Sequence, residues 1–412
     1  DLMKRNVPVN PLFGDNVREQ DRGKPIPLCF GDVEYISPLC IDDSVANATV
    51  WQIADPAFQT LYAIDKVFDG GVDRTSYVVK DLTNCKFTFN AYTPTGEITC
   101  NATGAVLSDI PGETSGDPIT NAADIIRFFL KKILKLTDAD IDADSFAKAK
   151  AETSAIALAK YVRYRRNMSS YIQEIERSVF GNLHQTNDGK FAFDIFSPLF
   201  AEDDAIENWE WEDYQHSSPL SKMYAGVKVL YRPLPIDRPE GSGEGEDDVY
   251  LVSEGTNPRA VYVENQEAAY KQVVTWIVDQ VQADELRDRI CFLTNIPIIT
   301  IDASVRGIKL FTRRPGDVLK ITKTIAPGMA RAIEYQYFQI IKIIKEFAND
   351  RAVIQLDNFQ GAAYYVGSWT DDLAPDWGAA SEAQRETQGF WADDLGFIDP
   401  LDMDSKNRSL WY

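Results

Sequence analysis

Two blocks of short apolar segments with period-2 alternation, each closed by Gly, Pro, Asn or Asp, flank a stretch of helical periodicity. This order constrains the fold of the 412-residue chain more than any other feature. In the first block, from about Lys24 to Gly104, the segments PIPLCFG, YISPLCID, ATVWQIA, TSYVVKD, KFTFNAY and EITCNAT read as strands of a small β-rich domain. SDIPGETSGDP then has the composition of a loop, which sets residues 1–119 apart as an N-terminal domain.

From Thr120 the period changes. In TNAADIIRFFLKKILKL, Ile125, Ile126, Phe129, Leu130, Ile133 and Leu134 recur at helical spacing. Thr120 or Asn121 serves as the cap, and Lys131, Lys132 and Lys135 complement the negative end of the helix dipole. A second helix over IDADSFAKAKAET, a strand-like IALAKYVRY, a third helix over SSYIQEIERSVFGNL and a hairpin at TNDGKFAFDIFSP follow. Residues 120–225 therefore read as an α+β insert.

The second strand block, residues 226–366, holds GVKVLYRPL, DDVYLVS, AVYVEN, IIKIIKEF and RAVIQLDNF, with one helix predicted over EAAYKQVVTWIVDQVQADELRDRI. RPEGSGEGEDD reads as a solvated acidic loop. PGDVLKIT reads as a turn launching a strand, with Gly316 at a left-handed turn position. The fold class is thus α+β and β-rich, with this block expected as a second barrel or sandwich. Residues 367–412 lose the alternation but keep Trp369, Trp377, Phe390, Trp391, Phe397 and Trp411 among many aspartates. Aromatics of this size need cover, so the segment reads as an ordered acidic arm.

The formal charge of −21 disfavours stable binding to nucleic acid or to an anionic membrane surface. It suits a wall past which DNA slides without sticking. No apolar run reaches the roughly 20 residues of a membrane span, and no signal-peptide pattern opens the sequence. Asp1 in place of an initiator methionine is what a longer or processed product would leave. The five cysteines, Cys29, Cys40, Cys85, Cys100 and Cys291, contain no CxxC pair and suit a reducing compartment. Cys85 and Cys100 flank CKFTFNAYTPTGEITC, which reads as a hairpin that could place them face to face; two buried thiols are favoured over a disulfide.

No motif singles out a catalytic or cofactor site. Asp138, Asp140, Asp142 and Asp144 lack the glycine and glutamate of an EF-hand loop and read as helix-capping aspartates. GSGEGE has no strand-to-helix frame and carries acids that would repel a pyrophosphate. His184 and His216, the two histidines, lack the flanks of a nucleophile elbow or metalloprotease helix and read as packing or surface residues. The sequons at Asn47, Asn101, Asn167 and Asn407 are taken as chance. Catalytic residues, cofactor-binding residues and metal ligands are all expected to be absent, although abundant carboxylates leave a glycosidase pair open.

Four stretches carry a family resemblance: GKPIPLCFGDVEYISPLCID; GEITCNATG followed by ITNAADIIRFFL; RRPGDVLKIT with RAVIQLDNF; and WGAASEAQRETQGFWADDLGF with DPLDMDSKNRSLWY. In this order they resemble the hub or tail-tip (baseplate hub) proteins of long-tailed bacteriophages and gene transfer agents, over about the whole chain. The resemblance implies two β-barrel or sandwich-like hub domains, the α+β insert and a closing arm. It implies a non-enzymatic virion subunit made in the bacterial host cytoplasm that forms a homo-oligomeric ring, a trimer, at the distal end of the tail. Such a ring continues the DNA channel and supports a central fibre or spike, with distal tail or tube proteins and the tape measure as further partners. No appended peptidase with a Cys/His pair and no four-cysteine cluster is seen, and a long receptor-binding fibre would belong to another protein. Oligomerisation is expected through strand edges and through Trp369, Trp377, Phe390, Trp391 and Trp411 as interface anchors, with packing inside the same subunit the competing role. The alternative functions are a peptidoglycan-degrading tail enzyme and a carbohydrate-binding host adhesin.

Overall fold

The turn-punctuated segments of the first block become ten short strands: β1 (Asn6–Val7), β2 (Leu28–Phe30), β3 (Asp32–Ile36), β4 (Leu39–Asp42), β5 (Val50–Gln52), β6 (Ala63–Asp69), β7 (Val72–Asp73), β8 (Val78–Asp81), β9 (Lys86–Phe89) and β10 (Ile98–Thr103). The computed structural model describes residues 2–186, 188–195, 205–206, 211–217, 224–235, 249–257, 270–294, 300–306, 310–311, 313, 317–323, 333–358, 368–369, 388–392 and 408–410. Two four-stranded sheets form, ordered β3-β10-β6-β7 and β4-β5-β9-β8. Alternation decides their faces: Ile98, Cys100 and Ala102 of β10 point inward. They share one core with Val33, Ile36, Trp51, Ile64, Val67, Phe87 and Phe89 from both sheets.

Two readings of this block are corrected. The long strand β6 is absent from the sequence-based set of segments. The expected hairpin between Cys85 and Cys100 does not form, because β9 pairs with β8 and β5 whereas β10 pairs with β6 and β3. Both thiols are free and buried, as are Cys29, Cys40 and Cys291. Gly31 is needed where it stands. It has a φ of +63°, and a Cβ there would strike the Leu158 carbonyl.

Helix follows where the period changes. Asn121 caps α1 (Ala122–Phe128) by accepting from Ala123 N at 2.9 Å, and the helix continues as one wide π turn over Phe129–Ile133. Next come α2 (Ala143–Glu152), β11 (Lys160–Val162), β12 (Arg166–Asn167), α3 (Met168–Val179), and the expected hairpin of β13 (Gly181–Gln185) and β14 (Phe191–Ile195). The β11–β2 and β12–β1 ladders stitch this region to the first block. Phe128 at the end of α1 and Phe129 at the start of the wide turn both face Phe30 edge-on, with ring centroids at 5.1 and 5.5 Å.

The remaining elements are β15 (Ala205–Ile206), β16 (Trp211–Ser217), β17 (Gly226–Leu234), β18 (Val249–Thr256), β19 (Tyr270–Val274), α4 (Gln280–Thr294), β20 (Thr300–Arg306), β21 (Val318–Lys323), β22 (Ile333–Glu346), β23 (Arg351–Asn358), β24 (Ser368–Trp369), β25 (Gln388–Ala392) and β26 (Arg408–Leu410). They give sheets of order β18-β17-β19, β15-β21-β22-β23-β20-β16 and β24-β25-β26. AVYVEN, the acidic loop RPEGSGEGEDD and Gly316 lie outside the described residues.

The single helix predicted across 267–290 is also corrected. Its first part is β19, paired in parallel with β17, and the extended residues Thr275–Val278 follow it. The helix starts only after Asp279, whose Oδ1 accepts from Val281 N and Gln282 N at 2.8 and 3.2 Å. β-branched residues through this stretch suit a strand, and the pairing with β17 decides in its favour.

The chain divides into two compact units. One comprises Asp1–Ile195, Gly226–Thr256 and Tyr270–Asp288; the other comprises Phe196–Ala225, Asn257–Ala269 and Arg289–Tyr412. The described chain is thus an α+β, β-rich protein with several sheets and few helices.

Candidate functional site

Within the first unit a buried polar junction forms around Glu174 of α3. Its Oε2 accepts from the Trp276 indole Nε1 at 2.8 Å and lies 3.5 Å from Lys160 Nζ; its Oε1 lies 3.4 Å from Arg166 Nη1. Ser178, one helical turn on, accepts from Trp276 N at 3.0 Å, so one face of α3 grips both the backbone and the ring of Trp276. Lys160 Nζ also donates to the Tyr250 hydroxyl at 2.5 Å, bringing in β18. Both carboxylate oxygens are engaged and the indole lies fully buried, so this group acts as a joint and presents no reactive face.

The titratable residues singled out in the sequence settle into local roles. Asp142 caps α2 by accepting from Ser145 N, and Asp140 accepts from Thr137 N and Oγ1 at 2.8 and 2.7 Å. Asp138 pairs with buried Lys131 at 2.6 Å, whose hydrogen bond holds the carboxyl below its usual range. Asp142 takes the helix-capping role expected of the aspartate run, whereas the pair of Asp138 with Lys131 is not foreseen from the sequence. His184 lies on β13 with its side chain largely buried, and its Nε2 is 3.6 Å from Asp194 Oδ2. The side chain of His216, on β16, lies outside the described residues, as does GSGEGE. Among the described residues no group of three or more His, Cys, Asp or Glu could hold a metal ion.

A cleft lined by Asp32, Glu34, Ala159, Arg232 and Val278 offers about 30 Å³, room for about one water molecule. Arg232 closes it by pairing with Glu34 at 2.9 Å from a left-handed backbone position with φ 49°. Asp69 is held differently. It is buried and accepts from Thr95 N, Tyr92 Oη and Gly96 N at 2.9, 2.7 and 2.5 Å. Burial, the largest influence, pushes its pKa up, but these donors together with Arg74 hold it below the usual carboxylate range. A lowered folded-state pKa adds stability above the unfolded value of about 3.9, and that stability is lost as pH falls through the folded pKa. Asp69→Asn should therefore cost about 1–2 kcal/mol at neutral pH and less at pH 3, read from urea midpoints at the two pH values.

Of the residues expected at an interface, Trp369 sits on β24 and Phe390 and Trp391 sit on β25, adjacent strands of one sheet in which Trp369 pairs with Gly389. The side chains of these three, and Trp377 and Trp411 altogether, lie outside the described residues. The structure adds apolar exposure that the sequence did not single out. On the six-stranded sheet Ile344 and Val353 pair directly across β22 and β23, and they are 46% and 36% exposed. Ile341, the extra residue of a bulge in β22, is exposed beside them. On β18 and β19, Leu251, Val252 and Tyr270 are exposed as well.

No protein-family model matches the sequence, and no curated protein matches it either. Solved structures do. A chain in the virion of a native gene transfer agent particle matches with a TM-score of 0.56 and 10% identity, over 87% of this chain and 92% of that one. Weaker matches are the 43 kDa tail protein of prophage MuSo2 from Shewanella oneidensis (TM-score 0.33, 12% identity, 80% of this chain and 93% of that one) and a prophage tail protein from Listeria monocytogenes EGD-e (TM-score 0.32, 13% identity, 84% and 90%). At 10% identity, what is shared with the gene transfer agent chain is the fold.

Proposed function

We propose that this chain is a non-enzymatic structural subunit of a phage-type tail, a baseplate hub or tail-tip protein that forms a ring at the distal end of the tail. The observation that carries this reading is the fold shared with a virion chain along 87% of this sequence and 92% of that one, a length that spans both units. In the hub reading the β sheets are barrel-like domains, the ring is a trimer, and the channel it surrounds continues the path of DNA toward a central fibre or spike.

Physical features of the chain support an assembling role. The six-stranded sheet ends on β15 and β16, whose outer edges have no strand partner among the described residues, and a neighbouring subunit can satisfy such edges. The exposed Ile344–Val353 pair and the aromatic residues of 367–412 are surfaces that a neighbour would cover. A charge of −21 keeps a channel wall from holding a polyanion in transit.

The test is the mass of the purified chain across concentration, with imaging of particles that contain it. A closed three-subunit ring located at the tail tip is expected. A chain that stays monomeric at every concentration and lies elsewhere in the particle overturns the reading.

A further inference from the structure

One face of the six-stranded sheet carries an apolar row that the single chain leaves uncovered. In β23, Arg351, Val353, Gln355 and Asp357 alternate with buried Ala352, Ile354 and Leu356, so the odd-numbered positions face away from the core. Directly paired residues share a face, which puts Ile344 of β22 and Ser304 of β20 on either side of Val353. Ile344 and Val353 are 46% and 36% exposed, and the bulge residue Ile341 adds a third exposed apolar side chain. Ser304 is buried in the same row, and its hydroxyl oxygen has no hydrogen-bond partner. The row therefore holds one unused polar anchor among aliphatic side chains.

The rows to either side differ in charge. Toward the β22–β23 turn, Arg351 pairs with Glu346 and Arg306 with Glu212, both at 2.5 Å, so that row is closed. On the other side Gln355 donates to Asp302 at 2.9 Å. Lys342, opposite Gln355 and exposed, makes no ion pair or hydrogen bond among the described residues. The face thus offers aliphatic surface beside one unmatched cation. A segment that combines large apolar side chains with carboxylates complements it.

The sequence supplies such a segment. Residues 367–412 hold ten Asp or Glu against three Lys or Arg, and acids stand beside the aromatics, as Asp376 does beside Trp377 and Asp393 near Trp391. Trp377 follows Asn358, the end of β23, by about 19 residues, which span up to about 60 Å when extended. That length is enough to reach a neighbouring subunit. Resting on the ring reading above, we infer that the Ile344–Val353 row is the docking surface for residues 367–412 of a second copy of this chain. Aromatic side chains of the arm cover the aliphatic row, and an arm carboxylate meets Lys342. The rings supply most of the affinity and the ion pair fixes register. The contact joins two different surfaces, so it is heterologous and generates a ring when the rotation closes.

Photo-cross-linking of the full-length chain identifies the occupant. A chain carrying Ile341→benzoylphenylalanine is mixed with an excess of isotope-labelled wild type, and the captured peptide is read by mass. Labelled peptides from residues 367–412 are expected. Sedimentation measures the energetic side. Val353→Asp should weaken self-association by about tenfold or more, whereas Val79→Asp, the same change at an exposed valine of β8, should stay within about twofold of wild type. Val353→Thr keeps the β-branched shape and should weaken association by about threefold; it stands in for Val353→Asp if urea midpoints show that variant to be unfolded. Lys342→Glu should weaken association at low salt and do so less at high salt.

Equal behaviour of the Val353 and Val79 variants in a chain that still forms its ring overturns this surface and leaves the ring standing. Unlabelled peptides from 367–412 mean that the arm folds onto its own sheet, and they overturn the second-copy inference. Labelled peptides from any other part of the chain overturn the arm as the occupant. A wild type that is monomeric throughout and gives no labelled cross-link overturns both the ring and this contact.

Discussion

Glu174→Gln is expected to destabilise the first unit by about 3 kcal/mol. The carboxylate lies between Lys160, which is 4% exposed, and the Trp276 indole. Glutamine keeps an acceptor for the indole but removes the negative charge facing a buried ammonium, and the desolvation of that ammonium is then left uncompensated. Arg166, more exposed, can turn toward water and adds little. Lys160→Met alone leaves a buried carboxylate that still receives the Trp276 and Arg166 hydrogens, so its expected cost is smaller, about 1–2 kcal/mol. The double variant should lose clearly less than the sum of the singles, because removing both charges removes the desolvation problem along with the attraction. Urea midpoints of the four proteins check this, with the slope monitored for a change in cooperativity. Additive losses would mean that Lys160 and Glu174 do not depend on one another.

The junction that makes this prediction possible is not legible in the sequence, because Glu174 and Trp276 stand 102 residues apart. Sequence periodicity places Trp276 in a helix. The run YKQVVTWIV is apolar enough for either state, and only the pairing of its first five residues with β17, a non-local event, makes them a strand. β6 escapes for a related reason. Asn101 pairs with Lys66 and Ala102 with Ile64, so Asp65 is an extra residue, and the resulting Asp65–Lys66 pair of exposed positions breaks the alternation. Elements specified locally are legible: Asp142 caps α2, Asn121 caps α1, and the β13–β14 hairpin carries the turn residues Asp188 and Gly189 between its strands.

Trp276→Ala should cost about 3–5 kcal/mol and separate the elements that meet at its ring. The side chain is fully buried, with Phe30 of β2, Phe129 of the π turn and Tyr171 of α3 at centroid distances of 6.1, 6.5 and 6.2 Å. Its backbone carbonyl accepts from Ala159 N at 2.9 Å, just before β11. Truncation opens a cavity bounded by three elements that cannot collapse together, and it removes the donor to a buried carboxylate. Trp276→Phe separates these effects. It keeps most of the ring contacts and loses only the Nε1 hydrogen bond and part of the volume, for an expected cost of about 1–3 kcal/mol. In the Trp276→Phe background the further change Glu174→Gln should cost less than it does in the wild type, by about 0.5 kcal/mol or more, since one of the two interactions it disturbs is already gone. A Trp276→Ala variant that unfolds at the wild-type urea midpoint would mean that the region closes without its largest buried side chain.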